Sequence, residues 1–159
     1  MESFDTVTYR FINYTEASQE DIVMIWKLRN LEDVRKWMVN GQEIPLKNHL
    51  DFVKNLGNRK DKAYFIIKDK KGDFIGSVNI SIMKDRLAER GIFINPDFHN
   101  QGHASKSMKE FYDRIAGPSI NRIFTKVKVD NKASNALEKN LGARLIETVD
   151  SYNHYLLEI

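Results

Sequence analysis

The sequence predicts a mixed α+β fold, in which a mostly antiparallel sheet is flanked by helices. Two or three helical segments come first, and three strands that include a hairpin follow them. The rest of the chain alternates helix, strand and helix before two closing strands. This order is typical of one mixed sheet with helices packed on it. A chain of 159 residues has the length of one domain, so residues 1–159 are expected to form a single domain.

The first third is predicted to contain one strand and three helices. Weak alternation of apolar residues predicts the strand over residues 7–14. Ser18 is expected to cap a helix that runs to about Arg29, because a serine side chain accepts an N–H of the first turn. A second short helix is predicted over residues 31–39 and a third from about 45 to 56, each ending near a glycine.

The middle of the chain reads as strands leading into an amphipathic helix. Strands are predicted over residues 63–68 and 74–83, joined by a hairpin turn over 69–73. Residues 91–95 are predicted to be a buried strand, since β-branched and aromatic residues lie there between a glycine and a proline. The helix that follows is predicted from an apolar stripe at helical spacing, formed by Ala104, Met108, Phe111, Tyr112 and Ile115.

The last third completes the sheet. Clean alternation predicts a strand over residues 122–130, and residues 131–141 are predicted to be a helix that ends at Gly142. Residues 144–149 and 152–157 are predicted to be a closing pair of strands.

Composition excludes several functional classes. The sequence has no apolar run near the ~20 residues of a membrane span and no secretory signal, so a cytoplasmic protein without membrane contact is expected. Its net charge of +3 is mild and its lysines are interleaved with acids, which argues against a nucleic-acid partner. Zero cysteines excludes disulfides and thiolate metal sites, and no metal site is predicted.

A loop of small residues lies between the buried strand and the amphipathic helix. It includes Gly102 and Ala104, which suit a close approach of the backbone to a ligand. A helix N-terminus here would present free N–H groups and the positive end of the helix dipole, a combination that binds phosphate. The alternative is an ordinary strand-to-helix turn that uses glycine for its tight bend.

The run Ala88-Glu89-Arg90-Gly91, followed by Asn95-Pro96 and by Gly102 and Ala104, resembles the acetyl-CoA-binding segment of the GNAT superfamily of N-acyltransferases. The predicted element order also resembles that family over nearly the whole chain. His99 stands where the family usually has arginine or glutamine. The resemblance implies acetyl-CoA as the cosubstrate, with its pyrophosphate on the N–H groups of Gln101, Gly102, His103, Ala104 and Ser105. It also implies that a backbone N–H in the segment Ile92, Phe93 and Ile94 polarises the thioester carbonyl.

A second segment, Asn131–Ser134 with Glu138–Ala143, also resembles the family. The resemblance implies that Asn131 and Ser134 hydrogen-bond the pantetheine or adenosine-phosphate end of coenzyme A. The alternative is that Asn131 only caps the helix. Glu138 stands where many members carry a tyrosine that reprotonates the departing thiolate. Because a thiol pKa of ~8.5 hardly demands a strong acid, Glu138 is expected to be a solvated helix residue, with a catalytic role as the alternative.

Transfer of an acyl group to an amine needs a group that accepts the amine proton. Glu89 is the first candidate, since the family often has a glutamate there facing the acceptor cleft. Alternatively, Glu89 is a surface carboxylate paired with Arg90 or Lys84. His49 and His154 are the other candidate bases, because an imidazole titrates near neutrality, although a histidine on a half-apolar element is often structural.

The acceptor is predicted from the first third. Arg29-Asn30, Trp37-Met38 and the run from His49 to Phe52 resemble the amino-sugar-nucleotide N-acetyltransferases of pseudaminic acid synthesis, which act on a UDP-linked 4-amino-4,6-dideoxy sugar. The resemblance implies that this substrate is bordered by Arg29, Met38, His49 and Phe52. Products of that type are precursors of surface glycans or of flagellin glycosylation.

The residues themselves leave two readings of this region. An apolar wall of Met38 and Phe52 would suit a uracil ring or a 6-deoxy methyl group, and Arg29 would suit phosphate. Alternatively, the core includes Trp37, Met38, Leu50 and Phe52. In that case Arg29 ends the first helix and pairs with an acid such as Glu32 or Asp33.

Two other functional classes compete with this prediction. One is an acetyltransferase for ribosomal-protein N-termini or antibiotics, and the other is a non-catalytic acyl-CoA-binding module. In each case the ligands are small molecules or a protein N-terminus. A homodimer is compatible with the sequence, which does not determine the oligomeric state.

Overall fold

The computed structural model describes all residues from 1 to 159 and contains one eight-stranded sheet and five helices. The strands are β1 Phe4–Asp5, β2 Tyr9–Asn13, β3 Lys62–Asp69, β4 Phe74–Ile82, β5 Leu87–Ile94, β6 Arg122–Lys128, β7 Arg144–Val149 and β8 Tyr152–Glu158. The helices are α1 Gln19–Asn30, α2 Glu32–Arg35, α3 Leu46–Leu56, α4 His103–Ile115 and α5 Lys132–Asn140. None of the five helices has the length and apolar character that a bilayer crossing requires.

The strands lie in the order β1-β2-β3-β4-β5-β6-β8-β7. Only β5 and β6 run parallel, and every other neighbouring pair is antiparallel. This architecture confirms the predicted α+β class with its mostly antiparallel sheet.

Helices cover both faces of the sheet. On one face, α1 and α3 pack Ile22, Ile25 and Leu56 against Ile66 of β3. On the other face, α4 packs against the larger core cluster, through Met108, Phe111 and Tyr112. The residues of β3 alternate between the two clusters, which explains why that strand is apolar on both sides.

Local sequence signals placed most elements correctly. The Ser18 hydroxyl accepts the Asp21 N–H at 3.2 Å and so caps α1 as predicted. The second helix is much shorter than predicted, because the N–H groups of Trp37 and Met38 form turn hydrogen bonds and the Lys36 carbonyl accepts from the side chain of Lys128. Strand β5 begins four residues earlier than predicted, at Leu87, and the short strand β1 was not predicted.

Strands β5 and β6 separate beside the start of α4. Strand β5 pairs with β6 only through Leu87–Glu89 and Arg122–Phe124, and both strands then continue without pairing to each other. The Asn95 N–H donates to Ile75 on the β4 side. Because N–H directions alternate along a strand, the N–H groups of Ile92 and Ile94 point to the open edge of β5. The resulting cleft is referred to below as the strand fork.

Candidate active site

The loop before α4 presents a row of free backbone donors. Gly102 is the N-cap of α4 with φ +79° and ψ 0°, and no side chain caps the helix. No N–H group from Asn100 to Ser105 donates to an acceptor within the protein, and Lys106 is the first whose N–H does. A Cβ atom at Gly102 would meet no atom within 4 Å, so the loop opens outward. Donors and dipole therefore converge on an accessible point that suits a diphosphate.

The side chains of this loop brace it. A ring nitrogen of His99 lies 2.9 Å from the Ile94 carbonyl, at the end of β5, and the Gln101 amide donates to Asp97. His103 Nδ1 lies 2.9 Å from the hydroxyl of Tyr9. Burial, together with Glu110 and Asp69, raises the pKa of Tyr9 to about 12, so this phenol keeps its proton.

The residues present fit a coenzyme A thioester. The free N–H groups suit its diphosphate, and the open edge of β5 suits its chain of amides. Of the three strand residues predicted to polarise the thioester carbonyl, Ile92 and Ile94 direct their N–H groups to the strand fork. Phe93 is paired with Ser77 of β4, so its N–H is turned away from the fork.

The start of α5 follows the capping alternative. Asn131 is buried, and its Oδ1 accepts the Ser134 N–H at 3.1 Å. The Ser134 hydroxyl has no partner within the protein. A contact of either residue with the cofactor therefore stays a prediction, with Ser134 offering the free polar group.

Glu138 is not the solvated residue that was expected. Its side chain is 2% exposed, and Oε1 lies 2.6 Å from Nη2 of Arg90. The Arg90 Nε donates to the Tyr112 hydroxyl at 2.9 Å. The sequence did contain a sign that Arg90 is buried, because it lies on the same face of β5 as Ala88 and Ile92. A charge in such a series needs a buried partner, but the sequence did not show which one.

Glu89 lies on the opposite face of β5, at the mouth of the strand fork. Its side chain is 40% exposed, and its nearest cation is Lys126, with Nζ 3.8 Å from Oε1. Arg90 points to the other face and Lys84 forms no ion pair with it, so the predicted surface pairing with either is wrong. The carboxylate is accessible to a substrate amine.

A second titratable group shares this face. The Nδ1 of His154 lies 3.0 Å from Glu147, and the ring packs edge-on against Phe124. Phe124 is also the partner of Glu89 in the β5–β6 register, which puts His154 on the far side of Phe124 from that carboxylate.

Two buried polar atoms near α1 and α3 have no partner within the protein. They are Nη1 of Arg29 and Nε2 of His49. Both residues lie close to Tyr14, whose ring is 6.2 Å from the His49 ring. Burial, with a smaller effect from the charge of Arg29, lowers the pKa of His49 and keeps its imidazole neutral. The second arginine nitrogen, Nη2, donates to the Asn40 carbonyl, so the predicted alternative pairing of Arg29 with an acid is wrong.

Aromatic rings continue from Tyr14 towards the surface. Tyr64 packs against Tyr14, and Phe52 packs edge-on against Tyr64 with centroids 5.0 Å apart. Phe52 is 38% exposed and Trp37 is 37% exposed, so neither is a core residue. Met38 is half-buried in the turn after α2.

The loop after α2 is fixed over the same side of the sheet. The side chain of Asn30 exchanges two hydrogen bonds with the Ile44 backbone, and Trp26 donates a third to the same carbonyl. Lys128 reaches across from β6 to the Lys36 carbonyl at 2.8 Å. The loop is therefore held over the face of the sheet where the acceptor is predicted to bind.

Comparisons with known proteins agree with this arrangement. Residues 12–144 match the acetyltransferase (GNAT) domain. The chain is 28% identical over 144 residues to acetyltransferase PseH of Campylobacter jejuni, covering 89% of this chain and 88% of that protein. Against PseH of a second C. jejuni strain the identity is 28% over 90 residues, and the match spans 56% of that relative.

Solved structures show the same fold. C. jejuni PseH in complex with acetyl coenzyme A superposes with a TM-score of 0.75 at 18% identity, covering 94% of this chain and 98% of that one. Spermidine N-acetyltransferase from Vibrio cholerae, in complex with CoA and spermine, superposes with a TM-score of 0.83 at 16% identity, covering 96% of each chain.

Proposed function

Because the chain belongs to the GNAT acetyltransferase family and is therefore an acetyl-CoA-dependent N-acetyltransferase, we propose that its acceptor is the amine of a nucleotide-linked amino sugar. The proposed substrate is a UDP-linked 4-amino-4,6-dideoxy sugar. Its acetylated product would serve as a precursor of surface glycans or of flagellin glycosylation.

The observation that carries the proposal is the pair of unpartnered buried atoms, Arg29 Nη1 and His49 Nε2. Leaving a buried polar group without a partner costs about 1–3 kcal/mol. Two such groups beside Tyr14 would each gain a partner from a polar ligand, which requires the groups that now cover both atoms to move aside. An arginine N–H suits a phosphate oxygen. The neutral imidazole of His49 can accept an N–H or O–H of the ligand at Nε2.

The aromatic wall supports a nucleotide in the same cleft. The partly exposed Phe52, backed by Tyr64, offers a face on which a uracil ring can pack. Met38 lies in the fixed loop on the other side of the cleft and would add apolar contact. A free amino sugar has neither the ring nor the phosphates, so it would leave both the wall and Arg29 without a partner.

The charges in the cleft argue against a polyamine acceptor. A polycation needs several carboxylates, whereas the buried groups here are a cationic Arg29 and a neutral His49. Placing a second cation beside Arg29 would be repulsive. The 28% identity to acetyltransferase PseH supports the proposal further, because it agrees with the resemblance drawn from the first third of the sequence.

For the chemical step, we propose that Glu89 is the base that receives the amine proton, directly or through a water molecule. Its exposed carboxylate at the mouth of the strand fork can reach an amine that enters from the acceptor side. The N–H of Ile92 or Ile94 would polarise the thioester carbonyl. His49 is the alternative base, since its unpartnered Nε2 is neutral.

The test is an acceptor panel assayed by thiol release from acetyl-CoA. It compares a UDP-linked 4-amino-4,6-dideoxy sugar, the same sugar without UDP, spermidine and a peptide with a free N-terminus. We expect kcat/KM for the UDP-linked sugar to exceed that for the free sugar by at least about 10-fold, since a lost arginine–phosphate contact is worth about 1.5–3 kcal/mol. Equal turnover of the two sugars would refute the proposal. Turnover of the peptide alone would favour a protein acceptor, and acetyl-CoA binding without turnover of any amine would favour a non-catalytic module.

A further inference from the structure

Two buried polar residues flank the strand fork at the point where it opens. The last paired residues are Glu89 and Phe124, and the next residues are Arg90 on β5 and Thr125 on β6. Both side chains lie on the face covered by α4 and α5, because they alternate in step with the core residues Ala88 and Ile123. Arg90 is 5% exposed and Thr125 is 2% exposed.

Both residues keep a polar group without a partner within the protein. The Thr125 hydroxyl is fully buried and has no hydrogen-bond partner. In Arg90, Nη2 donates to Glu138 and Nε donates to Tyr112, which leaves the Nη1 edge without a partner. Nη1 is not one of the fully buried unpartnered atoms, so it touches open space. Arg90 is the first residue of β5 beyond the segment paired with β6, so the strand fork begins beside it.

The partner of Arg90 is Glu138 of α5. Glu138 stands at the place in α5 where the family resemblance expects a tyrosine that acts on the departing thiolate. A glutamate side chain is shorter than a tyrosine, and Arg90 reaches it from β5 at 2.6 Å. The pair therefore presents a guanidinium where a tyrosine would present a phenol.

We propose that Arg90 is a further catalytic residue, whose free Nη1 edge donates hydrogen bonds to the sulfur of coenzyme A as it leaves. The proposal rests on the acetyl-CoA site and is independent of the acceptor proposed above. Glu138 and Tyr112 are positioning residues, because they hold the guanidinium through Nη2 and Nε. Thr125 lies across the fork from Arg90, and its buried hydroxyl is the other polar group there without a partner.

The step balances without a proton from the protein. The amine nitrogen forms a bond to the acetyl carbon, the carbon–sulfur bond breaks, and its electron pair goes to sulfur. The amine proton goes to Glu89 or to solvent. Arg90 keeps its own proton and stabilises the negative sulfur by charge-assisted hydrogen bonds, and the sulfur is protonated later by water. Burial opposes the charge on Arg90, but Tyr112 and Glu138 outweigh it and raise the pKa of the guanidinium, so the residue stays a donor.

A purely structural role does not explain this ion pair well. Replacing a buried ion pair by apolar residues of similar volume is often neutral or stabilising, so stability alone gives little reason for it. A structural pair would also be expected to satisfy every N–H of the guanidinium, and here one edge is left free.

The decisive variant replaces both partners at once, as Arg90→Met with Glu138→Met. The single change Arg90→Met would leave a buried carboxylate without its partner and risk unfolding. The readout is the thiolate absorbance of coenzyme A bound to the protein, titrated against pH with desulfo-coenzyme A as the blank. We expect the bound thiol to titrate below free coenzyme A in the wild type and at least about one pKa unit higher in the double variant, a tenfold change in ionisation.

The same variant should lower kcat by ~10²-fold with the KM for acetyl-CoA little changed, because Arg90 acts only once charge develops on sulfur. The matched control removes a different ion pair, through Lys68→Met with Asp21→Asn, which lies between β3 and α1 away from the fork. That control should titrate and turn over like the wild type.

A rescue variant tests whether a hydrogen-bond donor at this place is what the reaction requires. Arg90→Leu with Glu138→Tyr puts a phenol on α5 and should recover most of the lost kcat.

If the Met double variant proves unstable, Arg90→Lys keeps the charge but shortens the donor, and the bound thiol should then titrate between the two limits. A folded double variant whose bound thiol and kcat match the wild type would overturn the proposal. Because the thiol titration needs no acceptor, it is unaffected if the sugar-nucleotide proposal fails.

Discussion

The predicted cofactor side and the proposed acceptor side of this enzyme are built in different ways. Around α4 and the strand fork, the available donors are mainly backbone N–H groups, from the loop of residues 100–105 and from the open edge of β5. Around α1 and α3, the available groups are side chains, chiefly Arg29, His49 and Phe52. A backbone site tolerates exchange of its side chains, whereas a side-chain site changes its ligand when one residue changes. The family can therefore keep one cosubstrate while its acceptors diverge.

The largest expected effect comes from Glu89, which lies where the two sides meet. Glu89→Gln should lower kcat by ~10²-fold or more, because the amide cannot accept the amine proton, while the affinity for acetyl-CoA stays nearly unchanged. Steady-state kinetics together with calorimetry of acetyl-CoA binding would measure both quantities.

The matched control for this change is Glu147→Gln, a carboxylate on the same face that pairs with His154. It should leave kcat within a few-fold of the wild type. Near-normal turnover of Glu89→Gln would move the role of base to His49, to His154 or to solvent.

The next largest effect is expected from Arg29→Ala, which should change the KM of the acceptor but not that of acetyl-CoA. Arg29→Ala should raise the KM for the UDP-linked sugar by about 10- to 100-fold, from the loss of a charge-assisted contact worth about 1.5–3 kcal/mol. The KM for acetyl-CoA should stay nearly constant, since Arg29 lies on the acceptor side. Arg35→Ala is the control, because Arg35 also donates to a carbonyl of the loop after α2 but has no unpartnered buried nitrogen. Equal increases in both KM values would contradict the separation of the two sides.

The cofactor side is tested by Gly102→Val, which should weaken coenzyme A binding by ~10-fold, or 1.4 kcal/mol. Gly102 has φ +79°, a conformation that a β-branched residue strongly resists. The added side chain would also stand where the N–H groups meet their ligand. Gly102→Asn is the control, because asparagine tolerates this backbone conformation, and it should bind coenzyme A more tightly than the valine variant. Unchanged affinity in Gly102→Val would remove the loop from the site.

The smallest expected effect is on the pH dependence of folding stability, and it arises from His49 on the acceptor side. Burial lowers the pKa of His49 in the folded protein below the usual value of about 6.5, so the unfolded chain binds a proton more readily. The stabilising contribution is therefore complete above about pH 6.5 and is lost as the pH falls below it. Urea unfolding at pH 7 and pH 5 should show a smaller loss of stability in His49→Leu than in the wild type. An equal loss in both proteins would show that His49 is not held neutral.

Sequence reasoning succeeded where a local pattern determines the structure. The small residues before α4, the Ser18 cap and the alternation of β6 depend on neighbours within a few positions, and each was recognised from residue type and spacing. The same locality explains why the free N–H groups before α4 could be predicted, since they follow from the place where the helix begins. That the cofactor binds there stays a prediction.

Reasoning failed where partners come from distant elements. Arg90 and Glu138 are 48 positions apart, on β5 and α5, and only the folded chain shows that they pair. Short-range periodicity also predicted too long a second helix, because it could not show that the side chain of Lys128, on a distant strand, donates to the Lys36 carbonyl. The unpartnered atoms of Arg29 and His49 depend on packing between α1, α3 and the sheet, which the sequence alone does not give.

The central claim is that a nucleotide binds among Arg29, His49 and Phe52, and calorimetric titration with UDP tests it most directly. The titration is done with coenzyme A present at saturation, so that UDP cannot occupy the cofactor site. We predict saturable binding of one UDP per chain, weakened by at least about 10-fold in Arg29→Ala and unchanged in Arg35→Ala. Absence of UDP binding in the wild type, or equal binding in Arg29→Ala, would contradict the account.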